Sequence, residues 1–172
     1  NAGNAGPLSQ MRSSPLFWET RPEDWPPYFH TNLFGVMNCC HLLLPDMIAQ
    51  QHGRIVTITS DAGRVGGSRL ASYAAAKAGA AGFMRSIAHE TGRHAITANC
   101  ISLSTLEPAL PEHELAPFLS SDRTQAQLSD YIIRRFGQPD DVAGLALFLC
   151  SDAAQWITGQ TYAVNGGYTV SQ

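Results

Sequence analysis

The stretch RIVTITSDAGRVGGSRLASYAAAKAGAAGF, residues 54–83, contains three kinds of sequence in a row. Its first part, Arg54 to Ser60, is short and rich in β-branched residues, which is typical of a buried β-strand. A segment rich in glycine and serine follows, and this composition favours a loop. From Tyr73 to about Gly92 the chain is rich in alanine and predicts a helix. The stretch therefore predicts one strand–loop–helix unit.

The rest of the chain continues this alternation of helix and strand. Residues 1–22 favour a loop, and apolar residues then recur at helical spacing from Pro22 to Gln51. After the stretch we expect a strand at Ala95–Leu103, an irregular Pro-rich segment to about Ser121, a helix at Gln125–Phe136, a helix starting at Pro139 and a third strand within residues 159–167. Such alternation indicates parallel strands covered by helices. The sequence therefore predicts an α/β fold in a single domain that spans residues 1–172.

The composition argues against several classes of function. The chain has 172 residues and a formal net charge of −3 without a run of basic residues, so we expect no binding to nucleic acid or to anionic membranes. We find no signal-peptide pattern and no apolar run of transmembrane length, which predicts no membrane association. The four cysteines form no CxxC pair and the six histidines lack metal-ligand spacing, so we predict free thiols and no metal. These features favour a cytoplasmic protein.

One pair of residues stands out chemically. Lys77 is the only lysine of the chain, and it follows Tyr73 by four residues on a predicted helix, so the two side chains share one face. The ammonium group of a lysine favours the ionised form of a nearby tyrosine, which suits the tyrosine to exchange protons with a substrate. The spacing Y-x-x-x-K also arises by chance, and taken alone it is a weak indication of function.

Two further polar residues give the pair a context. Ser60 ends a predicted buried strand, and ligands of open α/β sheets bind at the carboxyl ends of strands. Tyr73 follows across a Gly-rich loop that can return the chain to the same end. Asn32 lies inside the preceding predicted helix, where an asparagine is unfavourable unless it has a specific partner. For Asn32 alone, a polar spot on a helix face is the simpler interpretation.

Together these residues resemble the short-chain dehydrogenase/reductase family over essentially the whole chain. The matching segments are NAG at residues 1–3, GRIVTITSDAG at 53–63, YAAAK at 73–77 and the segment from GQPDD to NGG at 137–167, which is closest to 3-oxoacyl-carrier-protein reductases. The resemblance implies four catalytic residues, Asn32, Ser60, Tyr73 and Lys77. It implies that NAD or NADP, without deciding between them, is contacted by Asn1, Ala2, Gly3, Tyr73, Lys77 and Leu106.

The resemblance also implies a role for each catalytic residue. Tyr73 would exchange a proton with the substrate oxygen, and Ser60 would hydrogen-bond that oxygen. Lys77 would favour the ionised tyrosine and bind the ribose hydroxyls of the cofactor. Asn32 would hold a water that links Lys77 to solvent, while the nicotinamide exchanges a hydride with the substrate carbon.

Some parts of the family pattern are missing or changed. The Gly-rich turn that binds the pyrophosphate in this family, and the residue that selects NAD or NADP, would precede Asn1. We therefore expect only the C-terminal part of a Rossmann-type doubly wound parallel sheet, with a bare edge on its first strand. Leu103–Ser104 stands where the family carries Pro-Gly, and Pro108 where it carries a cofactor-contacting Thr. The following Pro-rich segment resembles the family's substrate lid.

Two hypotheses follow. The first is an NAD(P)-dependent oxidoreductase that acts on a small-molecule carbonyl or secondary alcohol. The second is a catalytically inactive fragment or partner subunit that associates through the predicted helices 23–51 and 73–92. By resemblance these helices form a dimer interface, so we expect a homodimer or homotetramer. Asp61, Arg69 and Gln155 are further candidates for substrate contacts, although solvation at the surface is the simpler expectation for them.

Overall fold

Three parallel strands form the sheet in a computed structural model that describes residues 3–6 and 14–170. They are β1 (Gly53–Ser60), β2 (Ile96–Leu103) and β3 (Thr161–Val164), and β2 lies in the middle. Ser60 pairs with Leu103, and Leu103 pairs with Val164, so the carboxyl ends of all three strands meet at one edge. The predicted α/β class with a parallel sheet is thus confirmed.

Helices connect and cover the strands. The first is α1 (Pro26–Phe29), which continues through a π-helical segment, His30–Phe34, into α2 (Gly35–Gln50). Between β1 and β2 lie α3 (Ala62–Val65) and α4 (Ala71–Thr91), and between β2 and β3 lie α5 (Glu112–Ser120), α6 (Asp122–Leu128) and α7 (Pro139–Leu149). Short 3₁₀ turns occur at Phe17–Glu19, Pro22–Asp24, Gly92–His94 and Asp152–Ala154.

The segment between β2 and α7 differs from its prediction in two places. The expected irregular segment contains α5, whose first turn carries Glu112 and Glu114, and acidic residues at a helix N-terminus are favourable. The helix predicted for residues 125–136 ends at Leu128. Beyond it the backbone N–H of Ile133 donates to the carbonyl of Gly166. This tertiary hydrogen bond and the burial of Phe136 replace the helical bonds that the local pattern predicted.

Apolar side chains cover both faces of the sheet. On one face Met84 and Ile87 of α4 pack with Cys100 of β2, and on the other Ile101 of β2 packs with Val142 of α7. Successive residues of a strand point to opposite faces, so β2 contributes to both clusters. Complete burial of side chains such as Met84 or Ile101 stabilises the fold by about 1.5–3 kcal/mol each. The sheet is therefore doubly covered, as expected for this class.

In the part of the chain that the structure describes, one helical stretch, Pro22–Gln50, is long and apolar enough to cross a membrane by length and composition alone. Helices in the cores of globular proteins meet the same two criteria, so the stretch is a weak indication of a membrane span. It also contains Asn32, whose side chain is buried and hydrogen-bonded to other parts of the protein.

Candidate active site

A cleft with a volume of about 270 Å³ opens at the edge where the parallel strands end. It is formed by three parts of the chain that are distant in sequence: residues 3–5, the end of β1 with the first turns of α4, and the end of β2 with the loop after it. The residues that line it are Gly3, Asn4, Ala5, Ile58, Thr59, Ser60, Tyr73, Lys77, Leu103, Ser104 and Leu106. Three of the four predicted catalytic residues therefore face one cavity.

Tyr73 and Lys77 lie one turn apart on α4, and the Nζ atom of Lys77 is 6.0 Å from the centroid of the Tyr73 ring. Lys77 is 7% exposed, and its ammonium group donates a hydrogen bond of 3.0 Å to the carbonyl oxygen of Ile58. Burial lowers the pKa of Lys77 below its ordinary value, an effect opposed by the nearby Cys100 thiol. The geometry thus places a partly desolvated cation beneath the tyrosine.

The close packing of α3 against α4 depends on Gly63. A Cβ atom at this position would lie 2.9 Å from the backbone nitrogen of Ala78, which real Cβ contacts do not reach. Ala76 and Ala80 are completely buried, which lets α4 approach the sheet closely. The small residues of this region therefore bring Lys77 down to the backbone of β1, where Ile58 accepts its hydrogen bond.

Ser60 is the last residue of β1, and its side chain is half-buried at the cleft. Its Oγ accepts a hydrogen bond of 3.2 Å from the backbone N–H of Ala62. A hydroxyl both accepts and donates, so this contact leaves the O–H of Ser60 able to donate to a bound oxygen atom. The parallel register of β1 and β2 places Ser60 directly beside Leu103, another residue of the cleft.

Asn32 lies behind the cleft, in the π-helical segment, and is 1% exposed. Its Oδ1 accepts from the N–H of Asn4 at 3.0 Å, and its Nδ2 donates to the carbonyl oxygens of Asn4 at 2.7 Å and Tyr28 at 2.9 Å. The side chain therefore holds the short segment 3–6 against the helix. A π-helical segment often marks a functional site, because it re-aims side chains locally. The predicted relay through Asn32 stays a prediction.

Four of the six residues predicted to contact the cofactor line the cleft. Gly3 and Leu106 line the cleft together with Tyr73 and Lys77, whereas Asn1 and Ala2 lie outside the described residues. A Cβ atom at Gly3 would lie 3.7 Å from Oδ1 of Asn32 and 3.8 Å from Nζ of Lys77. A side chain here would occupy space beside the lysine that glycine leaves open.

The end of β2 and the loop after it form a further wall of the cleft. Leu106 pairs with Gly137 in an isolated parallel bridge, and the N–H of Gly137 donates to the carbonyl of Thr105. The Oγ of Ser104 donates to the carbonyl of Asn165 at 3.2 Å. Ser104 thus anchors this wall to the turn after β3.

The three additional polar candidates have different environments. Arg69 and Gln155 are exposed, in agreement with the expectation that they are solvated at the surface. Arg69 donates a hydrogen bond to the carbonyl oxygen of Ser14. The expectation that Asp61 is solvated was wrong, because Asp61 is only 1% exposed. The position of Asp61 directly after Ser60, where strand ends converge, was a signal that could have indicated its burial.

Among residues 3–6 and 14–170 no group of three or more His, Cys, Asp or Glu side chains is arranged to hold a metal ion. The four cysteines, Cys39, Cys40, Cys100 and Cys150, are free thiols. The residues that line the cleft instead carry a phenol, an ammonium group, hydroxyls and the amide of Asn4. Groups of this kind bind oxygen atoms and exchange protons.

Comparisons with known proteins identify relatives of this chain. A family model described as Enoyl-(Acyl carrier protein) reductase matches residues 1–169. The 3-oxoacyl-[acyl-carrier-protein] reductases FabG of Staphylococcus epidermidis and Escherichia coli are each 36% identical to the chain over 152 residues, which is 88% of this chain and 60% of each relative. The chain thus spans about three fifths of the length of these relatives.

A solved structure is similar over nearly the whole chain. It is the crystal structure of a 3-oxoacyl-[acyl-carrier protein] reductase from Brucella melitensis, with a TM-score of 0.85 and 31% sequence identity. The superposition covers 99% of this chain and 62% of the other. Because the family match, the sequence relatives and the fold all agree, the chain belongs to the short-chain dehydrogenase/reductase family.

Proposed function

We propose that the protein is an NAD(P)(H)-dependent oxidoreductase that interconverts a ketone or 3-oxoacyl group and a secondary alcohol. The observation that carries this proposal is the convergence of Ser60, Tyr73 and Lys77 on one cleft at the carboxyl edge of a parallel sheet. That edge is where open α/β sheets bind their ligands. The similarity to 3-oxoacyl-[acyl-carrier-protein] reductases supports the same class of substrate.

The residues present fit the nicotinamide end of such a cofactor. The cleft has a floor without a side chain at Gly3, an apolar wall at Leu106 and a buried ammonium donor at Lys77. An apolar wall suits a flat ring, and an ammonium group suits ribose hydroxyls, which accept hydrogen bonds. When bound, the nicotinamide supplies or accepts the hydride at the substrate carbon. The proposal covers both NAD and NADP as the cofactor.

The chain's own residues carry out the proton chemistry. In the reductive direction the Tyr73 hydroxyl donates its proton to the substrate oxygen, and the O–H of Ser60 donates a hydrogen bond to the same oxygen. Negative charge develops on this oxygen in the transition state, so both donors stabilise that state more than the substrate. Lys77 then stabilises the phenolate that Tyr73 leaves behind, because an opposite charge at close range favours an ionised group.

Asn32 completes the proposed site from behind. Its side chain holds the backbone of Asn4, and so fixes the position of Gly3 next to Lys77. We place Asn32 in the proton path that returns a proton from solvent to Tyr73 through Lys77. In this role its main contribution is to hold the segment that lines the path, since both of its polar atoms already contact protein groups.

A second candidate function is that of a subunit that acts through association. Exposed apolar residues on α2, chiefly Leu42 at 73% and Leu43 at 54%, favour burial against another protein surface. The same exposed surface is also what a homodimer or homotetramer of an active enzyme needs. Its exposure therefore does not favour an inactive subunit over an enzyme. We propose a single catalytic domain with a cytoplasmic location, a small-molecule substrate and no nucleic-acid or membrane partner.

The test uses the full-length protein with NADH and NADPH, titrated by nicotinamide fluorescence and assayed with a panel of 3-oxoacyl thioesters and ketones. We expect saturable binding of at least one cofactor and turnover that falls roughly 10³-fold in Tyr73→Phe. Tyr162→Phe, which changes a half-buried tyrosine of β3 that does not line the cleft, is the matched control and should retain the parent's rate. Equal turnover in Tyr73→Phe and the parent would contradict the mechanism, and absent cofactor binding would favour the association hypothesis.

A further inference from the structure

A buried carboxylate lies directly beside the cleft and has no role in the mechanism above. Asp61 follows Ser60 in the chain, and its side chain is 2% exposed. Its backbone N–H donates to the carbonyl of Leu103 at 2.9 Å, which extends the pairing of β1 and β2 by one residue. A buried carboxylate is costly unless several donors surround it, so its partners indicate what it does.

Four donors from three parts of the chain surround this carboxylate. Oδ1 accepts from Ser102 Oγ at 2.7 Å and from Arg64 Nη1 at 3.0 Å. Oδ2 accepts from Asn165 Nδ2 at 2.6 Å and from Thr169 Oγ1 at 3.1 Å. Ser102 belongs to β2, Arg64 to α3, and the other two to the turn after β3. The carboxylate therefore ties the ends of β1 and β2 to the C-terminal turn.

The C-terminal turn in turn holds the wall of the cleft. The carbonyl of Asn165 accepts from Ser104 Oγ, and Ser104 lines the same cleft as Tyr73 and Lys77. Asn165 is itself 9% exposed, and its Nδ2 also contacts Thr169. A continuous chain of hydrogen bonds thus runs from Asp61 through Asn165 to Ser104.

We infer that Asp61 is a positioning residue that holds the Leu103–Leu106 wall of the cleft at the distance from Tyr73 and Lys77 that the nicotinamide end of the cofactor requires. The inference deepens the proposed function and rests on it for the identity of the occupant. Asp61 does not touch the reacting atoms. Its carboxylate accepts four hydrogen bonds, and these connect the wall and the C-terminal turn to β1 so that they move as one unit.

The first experiment observes the wall directly, without any cofactor. Amide spectra and hydrogen exchange are recorded for the parent, Asp61→Asn and the milder Thr169→Val, which removes one hydroxyl donor. We expect the amides of Ser104 and Leu106 to shift and to exchange roughly tenfold faster in Asp61→Asn, with a smaller change in Thr169→Val. Asn99→Ala is the control, since Asn99 is a buried polar residue of β2 that bonds Ile157 and Gln160 away from the cleft.

The second experiment measures cofactor binding in the full-length protein. Asp61→Asn is expected to raise Kd and KM for NADH or NADPH roughly tenfold while kcat changes less than about threefold. A general loss of stability, as in Asn99→Ala, should not produce this split between KM and kcat. The exchange of partners in D61N/N165D restores a donor–acceptor pair and should recover part of the affinity that D61N and N165D each lose.

The outcomes separate the two proposals. If the parent binds neither cofactor, the proposed function is wrong, while the amide measurements still decide whether Asp61 holds the wall. If the parent binds a cofactor and neither Asp61→Asn nor Thr169→Val changes its affinity, the positioning role is overturned. Unchanged amides of Ser104 and Leu106 in both variants overturn it as well. Poor folding of Asp61→Asn leaves Thr169→Val and N165D as the deciding variants.

Discussion

Asn32 and Asn4 are joined by two hydrogen bonds: the side chain of Asn32 accepts from the N–H of Asn4 at 3.0 Å and donates to its carbonyl at 2.7 Å. The two residues are 28 positions apart, and one side chain satisfies both backbone polar groups of the other residue. The π-helical segment that carries Asn32 thus supports the floor of the cleft at Gly3.

Asn32→Ala should release this floor. Removal of the side chain leaves the backbone groups of Asn4 without their partner and lowers the free energy of unfolding by about 1–3 kcal/mol. We expect faster hydrogen exchange at Asn4 and a lower melting temperature. Asn38→Ala changes an exposed asparagine on α2 and should leave both quantities unchanged. Equal behaviour of the two variants would show that Asn32 does not support segment 3–6.

Ser60→Ala should lower the rate of the reaction much more than the stability of the fold. The Ser60 hydroxyl accepts one hydrogen bond of 3.2 Å from Ala62 and is half-buried, so its removal should cost less than about 1 kcal/mol of stability. In the full-length protein, loss of a donor to the substrate oxygen should lower kcat roughly 10²-fold. Urea unfolding and steady-state kinetics measure the two effects. An unchanged kcat would remove Ser60 from the proposed mechanism.

Lys77→Met should not destabilise the fold. Burial lowers the pKa of Lys77, so the folded state binds this proton more weakly than the unfolded state. This unfavourable contribution is complete below the folded pKa and disappears as the pH rises toward the ordinary value of 10.5. We therefore expect Lys77→Met to be at least as stable as the parent at neutral pH. The difference in the free energy of unfolding between the two proteins should shrink at alkaline pH.

The control for this measurement is Arg85→Met, which removes an exposed cation from the same helix. Its stability relative to the parent should not follow the same trend with pH. Thermal unfolding at several pH values compares the three proteins. If the free energy of unfolding of Lys77→Met is more than about 1 kcal/mol below that of the parent at neutral pH, the hydrogen bond from Lys77 to Ile58 outweighs the cost of desolvating the ammonium group.

The four thiols should fall into two classes of reactivity. Cys39 and Cys150 are exposed, whereas Cys40 and Cys100 are buried. Burial raises the pKa of Cys100 to about 11 and that of Cys40 above its ordinary value, and the thiolate is the reactive form. Titration of the native protein with a thiol reagent should therefore modify Cys150 quickly, and Cys39 as well in molecules whose α2 is not covered by another subunit. Cys40 and Cys100 should react only after unfolding. Rapid modification of Cys100 in native protein would contradict its placement inside the sheet.

The ion pair between Arg135 and Asp141 should respond to acid. Arg135 donates to both carboxylate oxygens of Asp141, at 2.6 and 2.7 Å, and lowers the pKa of Asp141, as does the N–H of Gln138. Because the folded pKa is depressed, the stabilisation is complete above the unfolded value of 3.8 and is lost as the pH falls through the folded pKa. We expect Asp141→Asn to melt below the parent at neutral pH, with a difference that narrows in strong acid.

Asp140→Asn is the neighbouring control, since Asp140 is exposed and shares the first turn of α7. The pair is at the surface, so its effect on stability should be small and should weaken with added salt. A difference between Asp141→Asn and the parent that persists unchanged at the lowest pH would show that the ion pair is not its source.

Local patterns were sufficient to predict the strands at the centre of this fold. β-Branched residues at 54–60 and 95–103 and the Ala-rich helix that begins near Tyr73 each have a preference that agrees with their final environment. The segment 125–136 was mispredicted for the opposite reason. Its helical pattern ends at Leu128, because Ile133 gains a hydrogen bond to Gly166, a residue far away in the sequence.

The types and spacing of Ser60, Tyr73 and Lys77 were readable from the chain alone, because a strand end and one helical turn impose their separations. The partners of Asn32 and Asp61 were not. Their side chains contact residues 4, 102 and 165, and only the parallel register of the sheet and the packing of α4 bring those positions together. Local spacing sets which groups face the cleft, whereas long-range hydrogen bonds, formed only after the strands pair, set how firmly its walls are held.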